Sequence, residues 1–363
     1  MSDYYTTDNI DKENADYNVI FGERSNGKTT AVLGKILQLH IDSNYINQGA
    51  LIRRWEEDFK GKNGIQLFDG IISLGWIEKW TKGKYNSVLY YSQRWFLVKY
   101  NKEGKKIKQE ESPFLYGFSI SNEEHYKSTA YPKVKIILFD EFITRQYYLQ
   151  DEFIKFQNLL STIIRLRDDV KIYMCGNTVN RFCPYFDEMG LSHIKDMKEG
   201  KIDVYSYGEN NLKVAVEYSV MPNKKKKKSN KYFAFNNPKL NMIKHGSWEI
   251  DIYPHLPYPY LPKEVVFKYY IEFDNQKFEC VVISSHNNVI TFIHRKTTPI
   301  TETDYPVYST KVDPRYNYSN NIYKPRSQVE KVILQLFRDN KIFYQDNEVG
   351  EVIRNYLIWC QKR

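Results

Sequence analysis

The stretch NVIFGERSNGKTTAVLGKIL, residues 18–37, constrains the fold more than any other part of the chain. An apolar run stops at Gly22, mostly polar residues follow, and apolar residues then return at helical spacing as Val32, Leu33, Ile36 and Leu37. The pattern Gly22-x-x-x-x-Gly27-Lys28-Thr29 fits a phosphate-binding loop, whose glycines let backbone N–H groups wrap an anion at a helix N-terminus. Such a loop requires a buried strand before it and a helix after it. Residues 17–21 read as that strand and residues 29–40 as that helix. Lys28 is then placed to reach the β- and γ-phosphates of ATP, and Thr29, with Thr30 beside it, offers a hydroxyl to Mg²⁺. The helix dipole adds positive potential at the same point.

A second motif supports the first. In IILFDE, Asp140 closes an apolar run and is positioned to hold the Mg²⁺ water shell opposite Thr29. Glu141 follows directly, where a carboxylate can orient and polarise an attacking water. Residues 134–142 read as the strongest buried strand, with further strands at 50–55 and Lys171–Asn177. Between the last two strong strands, Phe153, Phe156, Leu159, Leu160, Ile163 and Ile164 fall on one side of a helix. Strands alternating with helices predict a mostly parallel α/β sheet with its ligand at the strand C-terminal ends. There Asn177 is a candidate γ-phosphate sensor. Arg165 and Arg167 close the preceding helix, where cations are also favoured by the helix dipole alone.

At 363 residues the chain exceeds the size at which single cores stop growing, so two domains are expected. The expected boundaries are 1–220, a basic linker over 221–250 carrying Lys224 to Lys228, and 251–363. Residues 56 to about 130 read as an insertion with strand-rich pieces around a turn at Glu103-Gly104. After the linker, a proline-rich stretch at 252–262 is expected to be extended. Three antiparallel strands and two helices follow, one helix carrying Val329, Val332, Ile333, Leu336 and Phe337. The formal charge of +9 suggests a polyanionic partner, nucleic acid being the commonest. The cysteines Cys175, Cys183, Cys280 and Cys360 form no zinc-ligand spacing with the histidines, which points to reduced thiols in a cytoplasm-like compartment. No membrane span or secretory leader is expected.

The segments FGERSNGKTT, KSTAYPKVKIILFDEF, IIRLRDDVKIYMCGNTVNRFCPYF and, more weakly, LIRRW resemble the double-stranded DNA packaging ATPases of phi-29-type phages. The resemblance covers most of residues 17–190, and the Ser-x-Ala-Tyr-Pro segment before the acidic strand is its most specific part. It implies an ASCE-type P-loop ATPase domain joined to a smaller α/β, RNase H-like C-terminal domain. It also implies a homopentameric ring on the portal connector of a procapsid in the infected bacterial cytoplasm, moving double-stranded DNA, with a packaging RNA in some members. Arg24 falls on the loop arginine of the family, Lys127 on a lysine that acts on the neighbour's site, and Arg165 on the arginine finger. Arg167, Lys127 and Arg145 are the alternatives for that last role. Residues 56–58, Glu-Glu-Asp here, are basic in a relative of that family, so no DNA contact is expected there and Lys60 and Lys62 are substitutes only by proximity. An RNase H-like nuclease needs a metal-binding carboxylate cluster, for which Glu272 and Asp274 are the candidates. Asp274 sits at a turn, so the nuclease centre reads as degenerate.

The expected function is therefore ATP-driven translocation of viral DNA with Mg²⁺. Two alternatives stand beside it: a large terminase with an active nuclease, and a nucleotide-gated DNA- or RNA-binding scaffold that does not turn over.

Overall fold

The computed structural model describes residues 4–220, 248, 251–285 and 288–361, so the basic run at 224–228 lies outside the described residues. The chain divides into two compact units at Trp248 and Glu249.

The first unit opens with a short helix, α1 (Asp8–Asp11), the loop strand β1 (Tyr17–Gly22) and helix α2 (Lys28–Asp42). Strand β2 (Gln48–Arg53) stops two residues short of the expected Trp55. Residues 56–80, expected to belong to a strand-rich insertion, instead form 3-10 turns and the short helices α3 (Lys62–Ile65), α4 (Asp69–Ser73) and α5 (Trp76–Trp80). The strand-rich part begins only at β3 (Ser87–Tyr91), followed by β4 (Arg94–Tyr100), β5 (Lys106–Gln109) and β6 (Leu115–Ser119). The turn between β4 and β5 holds Gly104 at φ 77°, as the Glu103-Gly104 pair predicts.

Strand β7 (Val134–Asp140) ends at Asp140 rather than Phe142, because Glu141 adopts a left-handed backbone with φ 58° that breaks the extended run. Helix α6 (Glu152–Ile164), strand β8 (Lys171–Asn177) and helix α7 (Pro184–Glu188) follow. Two strands not expected from the sequence, β9 (Ile202–Tyr207) and β10 (Leu212–Ser219), complete the unit.

The sheet runs β3-β4-β6-β2-β7-β8-β1-β10-β9, with β5 on β4. Its six central strands, β6 to β10 in that order, are parallel, while antiparallel pairs close both edges. Strand β8 lies between the loop strand β1 and the acidic strand β7, the arrangement an ASCE-type domain implies. Central parallel strands are covered on both faces, which is why their sequences are nearly continuous apolar runs. Alternate residues point to opposite layers. Val19, Phe21, Ile137 and Phe139 pack with Phe156, Leu159 and Ile163 of α6. Ile20, Leu51, Leu138 and Cys175 pack with Val32, Leu33, Ile36 and Leu37 of α2.

The second unit is a smaller α/β body. Its strands are β11 (Val265–Phe273), β12 (Gln276–Ser285), β13 (Asn288–Arg295), β14 (Val307–Ser309), β15 (Tyr318–Ser319) and β16 (Ile342–Tyr344). Its helices are α8 (Gln328–Arg338) and α9 (Asn347–Cys360). The sheet order is β15-β14-β11-β12-β13-β16, with an antiparallel meander at its centre and parallel strands outside. Asp274 and Asn275, at φ 51° and 56°, make the two-residue hairpin turn that such residues favour. In α8, Ile333, Leu334 and Leu336 are buried, but Val329 and Val332 of the expected stripe are exposed. All four cysteines are buried free thiols. Among the described residues no helix is long and apolar enough to cross a membrane.

The N-terminus of α9 gives a stability prediction. Asp346 accepts the backbone N–H of Val349 at 2.8 Å as the N-cap and also takes Arg295 Nη1 at 2.6 Å. Asp346→Ala should cost about 0.5–2 kcal/mol, the range for losing an N-cap. Asp346→Asn keeps the cap and loses only a part-exposed ion pair, worth about 0–1 kcal/mol. Urea unfolding midpoints should therefore order parent, then Asn, then Ala.

Candidate nucleotide site

Because the central strands are parallel, Arg53, Asp140, Asn177, Gly22 and Ser219 end their strands along one edge of the sheet, with Gly22 level with both Asn177 and Ser219. The loop from Gly22 to Lys28 crosses this edge. Gly22 and Gly27 hold φ of 152° and 94°, and a Cβ on Gly22 would lie 2.5 Å from Ser219 Oγ. Ser219 Oγ donates to the Phe21 carbonyl at 2.9 Å and accepts Asn26 Nδ2 at 2.8 Å, which latches the loop to β10. From the N-terminal segment, Tyr5 N–H donates to the Asn26 carbonyl at 3.2 Å. That segment gave no motif in the sequence; only the fold places it on the loop.

Lys28 turns inward. Its Nζ donates to the Glu23 carbonyl at 2.7 Å, Asn26 Oδ1 at 3.1 Å and Asn177 Oδ1 at 3.2 Å. These acceptors are neutral, and burial pushes the Lys28 amine down to about 8. An ammonium so held gains from an anion beside it, so the donor set fits a phosphate. Thr29 Oγ1 donates to Asp140 Oδ1 at 2.7 Å, so the hydroxyl and carboxylate expected to face Mg²⁺ already converge. Thr30 lies half-buried in the first turn of α2, and Arg24 is exposed on the loop.

The other oxygen of Asp140 accepts Arg53 Nη2 at 2.6 Å, while Arg53 Nη1 lies 3.2 Å from Glu141 Oε2. Arg53 thus links both acidic residues. Burial works against its charge, but Asp140 and Glu141 outweigh it and hold the guanidinium protonated. In the sequence this segment reads as a strand and, weakly, as part of the resemblance, with no role for Arg53. The signal was available, since Arg53 ends an apolar run as Asp140 does. Next to it, Arg54 is buried and paired with Glu152 at 2.8 Å.

Lys127 and Arg165 lie elsewhere, on the walls of one open cleft with Tyr131 and Asn158. Lys127 Nζ pairs with Glu124 at 2.5 Å, and Arg165 Nη2 donates to the Thr129 carbonyl at 3.2 Å. Arg167, next but one, donates all five N–H groups to the carbonyls of Ile164, Pro132, Val134, Tyr131 and Ile163. It fastens the end of α6 to the start of β7 and has no donor left for a ligand. Arg145 is half-buried in the segment after Glu141. Lys60 pairs with Glu57 at 3.4 Å, so the nearby acids offset its charge. Glu272 lies on β11 and Asp274 in the hairpin turn that follows it, and no group of three or more His, Cys, Asp or Glu that could hold a metal occurs among the described residues.

The fold and this edge define a P-loop nucleotide-binding unit of the ATPase type. Residues 95–251 match the family model of the Podovirus DNA encapsidation protein (Gp16). The DNA packaging protein of Bacillus phage B103 is 34% identical over 79 residues, 21% of this chain and 25% of that protein. That of Bacillus phage phi29 is 40% identical over 63 residues, 16% of this chain and 19% of that protein. The matched segments thus span a quarter or less of those relatives. A chain of the bacteriophage Phi-29 viral genome packaging motor assembly shares the fold at a TM-score of 0.55 and 17% identity, covering 100% of both chains. The Phi-28 gp11 DNA packaging motor gives 0.50 at 16% identity, covering 99% of this chain and 98% of that one. Residues 95–251 and the fold are thus similar to those of the phi-29-type DNA packaging proteins, which its motifs resemble.

Lys28 predicts a pH dependence. Its folded-state value, about 8, lies below the ordinary 10.5, so the unfolded chain binds more protons between them and stability without nucleotide rises with pH there. Phosphate binding needs the charged amine and runs the other way. Nucleotide affinity should fall above about pH 8, by up to about tenfold per pH unit, with proton uptake on binding. Calorimetric titration of Mg²⁺-nucleotide between pH 7 and 10 checks both signs.

Proposed function

We propose that this protein is an ATP-hydrolysing motor that moves double-stranded viral DNA into a procapsid as a homo-oligomeric ring. The observation that carries the reading is the contact of Thr29 with Asp140 opposite Lys28, with the Glu141 carboxylate one residue beyond. Lys28 holds the terminal phosphates once they draw its amine from the neutral oxygens. Thr29 and Asp140 would hold Mg²⁺, which when bound neutralises charge on the phosphate oxygens. Glu141 accepts the proton of the attacking water after its ion pair with Arg53 opens. Asn177, now bonded to Lys28, is freed when that lysine turns to phosphate, in keeping with a role as phosphate sensor.

Arg165 supports a ring. Arg167 ties the end of α6 to Val134 at the start of β7, whereas Asp140 ends that strand. Six residues of strand at about 3.3 Å each separate the two ends by ~20 Å, too far for Arg165 to serve its own site. The distance supports service to a neighbour's site instead, with Lys127 in the same cleft. The resemblance to these proteins supports a pentamer, a portal connector as docking partner and, as in some members, a packaging RNA. DNA contacts should be to phosphates and salt-sensitive.

Glu141→Gln should bind nucleotide nearly as the parent does and lose at least about a hundredfold in turnover. Steady-state phosphate release checks this, and parent-like turnover would remove the hydrolytic reading in favour of a binding scaffold. Plasmid nicking with Mg²⁺ or Mn²⁺ tests the terminase alternative; none is expected. Arg165→Ala should bind ATP yet stay slow when assembled. Mixed rings of Arg165→Ala and Glu141→Gln should regain partial activity, because some interfaces then pair an intact Arg165 with a neighbour's intact Glu141. An arginine acting in its own site allows no such recovery.

A further inference from the structure

Glu141 holds φ 58°, a conformation that a non-glycine residue keeps only where its surroundings over-determine it. The surroundings here are Arg54. Its Nη1 donates to the Glu141 carbonyl at 3.2 Å and its Nη2 to the Phe142 carbonyl at 2.9 Å, so the guanidinium grips the peptides on the C-terminal side of Glu141. Its Nε faces Glu152, at 2.8 Å from Oε2 and 3.0 Å from Oε1. Glu152 is itself held: Oε1 accepts the Tyr185 hydroxyl at 3.0 Å, and Oε2 accepts the Leu149 N–H at 2.7 Å. The ring of Tyr148 lies against the guanidinium, 4.9 Å from its centre. Arg54, Glu152 and Tyr185 are all buried.

A buried ion pair of this kind is weak evidence of stabilisation, since well-packed apolar residues commonly do as well. What apolar residues cannot do is aim two N–H groups at two successive carbonyls. Glu141 itself has an exposed side chain, so packing does not place its carboxylate; its backbone and the ion pair with Arg53 do.

We propose that Arg54, oriented by Glu152 and Tyr185, is a positioning residue that sets the backbone of Glu141 and so the place of its carboxylate at the end of β7. The proposal rests on the reading of Glu141 as the group that acts on water. Arg53 and Arg54 then divide the work, the first meeting carboxylates of the site and the second holding the chain that carries one of them. Lysine in place of Arg54 cannot span both carbonyls and Glu152 in one plane.

The test uses the full-length chain with ATP, a fluorescent ATP analogue and thermal unfolding. Arg54→Lys should lower kcat about 10- to 100-fold, the scale of a misplaced catalytic group, with analogue Kd within about twofold of the parent. Glu152→Gln, which keeps an acceptor for Arg54, should fall less. The decisive readout is non-additivity: Arg54→Lys combined with Glu141→Gln should be no slower than Glu141→Gln alone, because Arg54 acts through Glu141. A merely structural role would slow the double variant further and weaken nucleotide binding, and either result overturns the proposal. A slow Glu141→Gln chain beside an Arg54→Lys chain at parent rate overturns the positioning role alone. Parent-rate Glu141→Gln removes the underlying reading and the proposal with it. If Arg54→Lys does not fold, Tyr185→Phe, which loses one hydroxyl and keeps its ring, decides: a several-fold loss of kcat with the same non-additivity is expected, and parent kcat overturns the proposal.

Discussion

The Asp140 carboxylate is the point on which the rest of the site depends. It is nearly buried, and each oxygen has a partner from a different element, Thr29 at the start of α2 and Arg53 at the end of β2. An uncompensated carboxylate at such a position costs several kcal/mol, so the strands carrying its partners cannot slip without losing that compensation. A one-residue slip in β2 would also turn Arg53 and the whole apolar set of that strand to the wrong faces. Charge and packing therefore select the same register. The glycine loop can afterwards wrap only one place, the space between Lys28 and the Thr29–Asp140 contact.

The parts legible in the sequence were those where one short segment carries both its structure and its chemistry. The loop is such a segment: Gly22, Gly27, Lys28 and Thr29 are adjacent in the chain and close in space. Asp140 ending an apolar run is another. What the sequence did not show is pairing across distance. Arg54 reads as the end of a strand, and its partner Glu152 reads as the polar start of a helix 98 residues later. Neither position is unusual alone. Arg167 shows the converse, since a cation at a helix end looked available for catalysis until its five backbone acceptors were seen.

The fold was legible to the same degree and for similar reasons. Central strands covered on both faces show as apolar runs, and β7 and β8 were read within two residues of their ends. Residues 62–80 were not read, because helices of four or five residues have too little length to display a period. Tertiary packing holds them instead: Trp76 and Trp80 lie against Gly34 of α2. On α8 the apolar spacing suggested a face that includes Val329 and Val332, yet the buried face is shifted toward Leu334 and a buried Glu330. Glu330 accepts the Arg326 N–H at 2.5 Å, a local bond that makes its burial tolerable and that periodicity alone does not reveal.

Helix α6 connects two of these observations. It begins at Glu152, which orients Arg54 against the backbone of Glu141, and its C-cap is Arg165. Its 13 residues span about 20 Å, so the two ends serve different places: the first faces the chain's own nucleotide edge, the second lies too far from it. Phe156, Leu159, Leu160 and Ile163 pack the helix into the sheet along its length, and packed helices move as rigid bodies rather than by bending between their ends. Displacement of Glu152 along the helix axis is therefore displacement of Arg165. On the proposed reading, in which each Arg165 faces the next subunit's phosphates, the arrangement that would hold Glu141 for one hydrolysis would also set the position of the arginine offered to the following one.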